Sequence, residues 1–474
     1  MKFIDIGDLD VRPGRLTVWR PTAGSPTPAH WTPDERPASY LQEAHLFDAL
    51  LSADSGERGP SWLATAFELP GALDTAALRA ALLGWVDRHE SLRSRLVPSR
   101  GEGGGRMARE TLRPGAVDLA ADPHGDFTDG RELGRVIEEL LDGATDPLAW
   151  PSFVFATVGH PGSTTVYLAF DHHNVDGYSI FLIAHEIREL YAAALDGREA
   201  QLTDVGSFLD FAGWEREDAA LVHGGHETVL RWREFLQACG GRLPEFPAPL
   251  APEEESGQVA QRGGITWLLD REQAEGFHRA CKEQGGNFAS GILACLALAA
   301  REGAGLEDFR VMTPFHTRSQ SQWQQSLGWY VGLAPVHFPV RPDAVFAEVM
   351  KEAYAALDRA KPLASVPFAR ITELLGLPLE PRFMVSYMDI RRTPGAEQWA
   401  DWKAAALRSR RMNPHEVYLW IMRSPEGAYL SYRFPDTARG RAAVLPYLAD
   451  IERLAQQVAA PRTSGSRGKE PAPC

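Results

Sequence analysis

Asp171-His172-His173-Asn174-Val175-Asp176-Gly177 is the stretch on which the reading of this chain turns. An apolar, strand-like run at 165–170 precedes it. After it, Ile180, Ile183, Ile187 and Leu190 recur at helical spacing. The order strand, turn, helix puts two His and two Asp where a strand opens into a loop, a common place to display catalytic groups. A His with an ordinary pKa of ~6.5 exchanges protons near neutral pH. Gly177 lets the chain turn sharply. On spacing alone, a solvated surface turn explains the run equally well. A metal site is disfavoured. Adjacent strand residues point to opposite faces, so His172 and His173 do not share one ion, and no Cys or second His pair with ligand spacing lies nearby.

Outward from this loop, both halves of the chain mix strands and helices. Upstream, the pattern predicts a helix at 39–51, a strand at 62–69, and a helix capped by Asp74 with Leu78, Leu82, Trp85 and Val86 on its buried side. A helix at 131–141 and strands at 153–158 and 165–170 follow, the strands joined by the turn His160-Pro161-Gly162. His89 closes the Asp74-capped helix, where a cation suits the dipole. The Pro- and Thr-rich segment 25–37 is expected to lack regular structure. The glycines of 101–105 read as a loop or hairpin tip. Downstream, 241–257 reads as a connector between lobes. Helices are expected at 271–284 and 289–301, strands at 309–314, 332–340, 383–387 and 416–422, and a last helix at 446–459 with Pro446 in its first turn. Residues 463–474 read as a disordered tail.

The chain has 474 residues, 44% hydrophobic and 24% charged, which excludes wholesale disorder and points to more than one lobe. The net charge of −14 argues against a nucleic-acid binder or an anionic-lipid surface as partner. Cys239, Cys281, Cys295 and Cys474 form no CxxC pair, which fits a reduced, cytoplasmic protein. No apolar run approaches a membrane span, and no signal segment is visible. The GxSxG, GxGxxG and GxxxxGK[ST] motifs are absent. A second block, Val311-Met312-Thr313-Pro314-Phe315-His316-Thr317-Arg318, precedes Leu327-Gly328-Trp329-Tyr330-Val331-Gly332-Leu333-Ala334-Pro335. Its Arg318 can pair with a buried Asp, though such an Arg is more often solvated. Trp329 and Tyr330 can line a tunnel, though aromatics are more often core. His316, His337 and His415 have no motif around them and read as structural or solvated.

Together these segments resemble the condensation-domain superfamily, which includes nonribosomal peptide condensation domains, polyketide-associated acyltransferases and chloramphenicol acetyltransferase. The loop is similar to its HHxxxDG motif. Asp171 replaces the first His, and counting back from Asp176 makes His172 the catalytic equivalent. Leu69-Pro70-Gly71-Ala72-Leu73-Asp74 through Arg88-His89-Glu90-Ser91-Leu92-Arg93 resembles the family's "G-x-L-D … RHE-x-LR" helix, and Tyr40-Leu41-Gln42 its opening segment. The 313–318 and 328–335 block resembles its "R … G-x-x-x-N-x-x-P" region, with Gly332 in place of the Asn. Val366-Pro367-Phe368 with 383–389 resembles its crossover segment. The opening at 21–37 and Asp146-Pro147-Leu148 resemble the polyketide-associated acyltransferases more than modular synthetases.

The resemblance implies an α/β fold of two chloramphenicol-acetyltransferase-like lobes, 1–205 and 206–462, in a V-shaped pseudo-dimer with an interlobe tunnel. It implies a free-standing acyltransferase that moves an acyl group from a phosphopantetheine thioester, on a carrier protein or on coenzyme A, to an alcohol or amine. No cofactor is expected on the enzyme itself. His172 is the expected base, Asp176 the partner of Arg318, and Gly177 an oxyanion donor, with Asp171 and His173 supporting. Ester formation in natural-product biosynthesis is favoured. Amide formation, a non-catalytic carrier-recruiting module, and a hydrolase are the alternatives. Arg408-Ser409-Arg410-Arg411 is the expected basic patch for an acidic carrier.

Overall fold

The structure is a computed structural model and describes residues 1–24, 30–53, 59–98, 107–250 and 259–460. The expected glycine loop at 101–105, the tail at 463–474 and most of the second half of the expected connector lie outside these residues. In the first half the strands are β1 (Lys2–Asp5), β2 (Gly14–Ala23), β3 (Thr32–Asp34), β4 (Trp62–Pro70), β5 (Ser94–Pro98), β6 (Met107–Thr111), β7 (Val117–Phe127), β8 (Phe153–His160) and β9 (Ser163–Asp171). The second half carries β10 (Gln261–Asp270), β11 (Asp308–His316), β12 (Val331–Pro339), β13 (Phe383–Asp389), β14 (Ala405–Arg408), β15 (Val417–Ser424) and β16 (Gly427–Pro435). The helices that matter for the site are α1 (Tyr40–Ala53), α2 (Thr75–Arg88), α3 (Gly130–Ala144), α4 (Gly177–Asp196) and α5 (Phe208–Ala220).

A seven-stranded sheet has the order β1-β14-β4-β9-β8-β2-β7, and a six-stranded sheet the order β10-β16-β15-β13-β11-β12. β3, β6 and β5 form a small third sheet, so Thr32–Asp34 is a short strand within the segment expected to be irregular. β9 alternates poorly because nearly every residue of it is buried, as a central strand requires. It ends at Asp171, and Asp176 then caps α4 by accepting a hydrogen bond from the Ser179 N–H at 2.7 Å. The loop between β9 and α4 is therefore short and fixed at both ends.

Two sequence expectations are corrected. The strand that crosses between sheets is β14, not 383–389. β13 stays central in the six-stranded sheet, while β14 lies parallel to β1 and antiparallel to β4. Its register is fixed by Arg408, whose buried guanidinium bonds Asp5 on β1, Ser431 Oγ and the Tyr432 carbonyl. Arg433 on β16 reaches the same Asp5 at 3.1 Å, so one carboxylate ties both sheets. The last helix spans Ala438–Ala459. Thr437 caps it, accepting from the Gly440 N–H at 2.8 Å, and Pro446 sits inside it instead of in the first turn. The first sheet's apolar core also takes in Leu327, Ile390, Trp399, Met422 and Tyr429 from the second half. The lobes thus share packed surface as well as a strand.

Candidate active site

The loop after β9 makes one 3-10 turn, His172–Asn174, and its side chains divide between two directions. Asp171 is fully buried and faces the first lobe. It accepts from Ser61 Oγ at 2.6 Å, from His173 Nδ1 at 2.7 Å and from the His173 N–H at 3.0 Å, and it meets His45 Nε2 of α1 at 2.9 Å. Burial alone would raise its carboxyl. His45 and His173 outweigh that and hold it well below the usual carboxylate range. His173 uses both ring nitrogens inside the lobe, Nε2 lying 3.3 Å from Ser152 Oγ. Gln42, in the expected opening segment, donates to the His173 carbonyl at 3.0 Å.

Asp176 faces the second lobe. Nη2 of the buried Arg318 donates to its two oxygens at 3.0 and 3.1 Å, and the Tyr330 N–H donates to Oδ2 at 3.1 Å. Arg318 also bonds Ser179 Oγ at 2.8 Å and the carbonyls of Trp323 and Ser326 at 2.7 and 2.5 Å. Its guanidinium lies 4.2 Å above the Tyr330 ring centroid. Asp176 therefore pins the loop across the lobe boundary and is spent on structure. Gly177 opens α4, with a first-turn N–H pointing out of the helix. Met388 of β13 lies 3.6 Å from where a Cβ would stand on Gly177.

Between these anchors stands His172, half-buried. Its ring packs on Trp329 at 4.0 Å between centroids and 31° between planes. Nδ1 is buried without a hydrogen-bond partner on another described residue, which leaves Nε2 for a substrate. Burial pushes the imidazole down to about 4. Charge on His45 pushes the same way, against its own backbone, Asp171 and Asp176. The ring is thus neutral at pH 7, the form that can take a proton.

Other expected features land differently. Tyr330 is core, within a cluster of Phe208, Phe211 and Trp323, while Trp329 lies half-buried against that cluster. His89 bridges the halves of the chain. Its Nδ1 accepts from the Leu327 N–H at 3.3 Å, and its Nε2 lies 2.7 Å from the buried Glu186, so the ring is held by cross-chain contacts at the helix end. At Gly332 an added Cβ would run into the Ala364 carbonyl, which is why the family's Asn is impossible there. The Arg408–Arg411 run is not a free basic patch. Arg408 is buried on Asp5, Arg410 pairs with Glu138 at 2.7 Å and Arg411 with Glu416 at 3.1 Å. His45 and Ser61 were not singled out by the sequence. Each is a lone polar residue whose partner, Asp171, is more than a hundred positions away.

Comparison with known proteins bears on the family and the fold. The condensation-domain family model matches residues 34–386. Acyltransferase PapA3 of Mycobacterium tuberculosis is 27% identical over 474 residues, covering 96% of this chain and 97% of that protein. The 2'-acyl-2-O-sulfo-trehalose (hydroxy)phthioceranyltransferase PapA1 of the same species is also 27% identical, over 96% of this chain and 88% of its own length. The solved PapA2 acyl transferase superposes with a TM-score of 0.88 at 25% identity, covering 97% of this chain and 100% of that one. The first condensation domain of the calcium-dependent antibiotic synthetase shares the fold, with a TM-score of 0.64 over 89% of this chain and 97% of its own, at 18% identity. No helix among the described residues is long and apolar enough to cross a membrane. With its two α/β lobes and its HxxxDG loop at their junction, the chain belongs to the condensation-domain family and is an acyltransferase.

Proposed function

We propose that this enzyme transfers an acyl group from a thioester to a hydroxyl of a small polyhydroxylated acceptor, forming an ester, with His172 as general base. The observation that carries the reading is the neutral His172 imidazole, its Nδ1 buried and its Nε2 left over, at the end of β9 where the lobes meet. A thioester needs neither a metal nor a covalent enzyme intermediate, because a thiol leaves readily. An alcohol is a weak nucleophile at neutral pH and needs its proton removed as it attacks. Nε2 of His172 takes that proton while the oxygen adds to the thioester carbonyl. The tetrahedral oxyanion lies toward the Gly177 N–H in the first turn of α4, where the helix dipole favours negative charge. Collapse breaks the carbon–sulfur bond, and the thiolate leaves with the proton from the imidazolium. General-base help of this kind contributes about 10²–10⁴ in rate.

A sugar-like acceptor is supported by relatives whose names describe acylation of sulfated trehalose, PapA1 and the trehalose-2-sulfate acyltransferase PapA2. The donor arm is a phosphopantetheine on coenzyme A or on a carrier protein, and donor and acceptor approach His172 from opposite sides of the lobe junction. Incubation with a panel of acyl-CoA donors and acyl carrier proteins, each with trehalose or its 2-amino analogue, tests this by mass spectrometry. An ester on the hydroxyl is the expected product. An amide on the amino sugar, free acid without acceptor, or carrier binding without thioester consumption contradicts it.

A further inference from the structure

A catalytic imidazole is ordinarily aimed by a hydrogen bond at the nitrogen that does not meet the substrate. In His172 that bond goes only to the residue's own backbone, and the buried Nδ1 finds no partner on another described residue. What lies against the ring is Trp329, close and tilted by 31°. Trp329 is itself held on two sides. It packs on the Phe208, Phe211, Trp323 and Tyr330 cluster, and it meets the His45 ring edge-on, at 5.5 Å and 83°. His45 is fixed in turn by its 2.9 Å contact from Nε2 to Asp171, the residue before His172. The circuit His45, Asp171, His172, Trp329 therefore closes on itself.

We propose that His45 and Trp329 are positioning residues for acyl transfer: from α1, His45 braces the Trp329 ring, and Trp329 sets the tilt of His172 by packing. The inference rests on the reading of His172 as the base. A tilt set by packing depends on ring contacts with the neighbours, so a neighbour's shape matters more than its polarity. The charged or titratable groups facing His172 are His45, Asp171 and Asp176, the last neutralised by Arg318.

The test is made on the full chain. His45→Gln places an amide nitrogen near the position of Nε2, keeping the bond to Asp171 while deleting the ring. Trp329→Leu deletes the indole, and Trp329→Phe keeps a smaller ring should the Leu variant fold poorly. The pH dependence of His172 modification by diethyl pyrocarbonate, read by peptide mass spectrometry, needs no substrate. The expected result is that Trp329→Leu moves the His172 midpoint upward by at least about one pH unit, as exposure of the ring demands. His45→Gln, which also removes the His45 charge, moves that midpoint further in the wild-type background than in Trp329→Leu, because the bracing acts through the indole. Trp329→Phe moves it less. His45→Gln should keep the wild-type melting temperature, which separates positioning from folding. Turnover of palmitoyl-CoA with trehalose should fall up to about 10²-fold in Trp329→Leu, the scale of a misplaced catalytic group. An unshifted His172 midpoint in His45→Gln or in both Trp329 variants, or a His45→Gln shift as large in Trp329→Leu as in wild type, overturns the proposal. If instead His172→Ala keeps full turnover, the base reading fails while the packing circuit can still hold.

Discussion

The two faces of one seven-residue loop do opposite work. On the first-lobe side, Asp171 gathers His45, Ser61 and His173, and both of its carboxylate oxygens are engaged. On the second-lobe side, Asp176 is clamped by Arg318 and the Tyr330 N–H. Between them His172 keeps a nitrogen out of any hydrogen bond to a neighbour. Two adjacent histidines thus differ completely: His173 is consumed by structure, and His172 is kept available by it. A reactive group needs fixed surroundings and an unfixed atom, and the two carboxylates supply the first without using up the second.

The sharpest way to break this comparison is to exchange the histidines' fates. His172→Ala should lose about 10²–10⁴ in kcat with an unchanged melting temperature, while His173→Ala keeps the chemistry of the folded fraction. Steady-state kinetics beside calorimetry checks both, and a dead His173→Ala with a live His172→Ala would reverse the assignment. Next in size is the cross-lobe clamp. Asp176→Ala leaves the Arg318 charge buried and should cost about 3–5 kcal/mol in denaturant unfolding. Adding Arg318→Met should recover part of that loss. On the other face, His173→Ala removes a hydrogen bond to a charged acceptor and should cost about 1.5–3 kcal/mol.

The smallest effect is in the pH dependence of stability. The Asp171 carboxyl is depressed in the folded state, so its contribution is present above the unfolded value of ~4 and is lost only as acid reaches its lower folded value. The His172 imidazole is depressed too, and the sign is the same, because again the unfolded chain binds the proton first. Unfolded chains bind its proton from ~6.5 downward and folded ones only near 4, so stability falls as pH drops through that window. His172→Asn should flatten that slope; an unchanged slope would show that the ring is not held neutral by the fold.

Much of the fold was legible because the signals were local. The Asp74 cap, the helical spacing of Ile180, Ile183 and Ile187, and the His-Asp-Gly spacing of the loop each sit within a few residues. They placed α2, α4 and the loop, and the pairing of Asp176 with Arg318 followed from the family pattern. What stayed hidden was non-local. β14 is too short to announce which sheet it joins, and its place is decided by Asp5, four hundred positions away. The charge of Arg408, Arg410 and Arg411 looked free because Asp5, Glu138 and Glu416 are brought to it only by folding. Pro446 suggested a helix start, but the Thr437 cap and the burial of Val444, Tyr447, Leu448 and Ile451 carry the helix through it. His45 carries no motif, and Gly332 could be understood only once the Ala364 carbonyl was seen against it.

The most direct measurement is the pH profile of kcat/KM for wild type and His172→Ala, with an acyl thioester and a hydroxyl acceptor. It reports the titration of the free enzyme's base. The account predicts an acid limb near pH 4, a plateau through neutrality, and loss of both limb and plateau rate in His172→Ala. A limb that survives unchanged in His172→Ala would contradict it, because some other group would then be taking the proton.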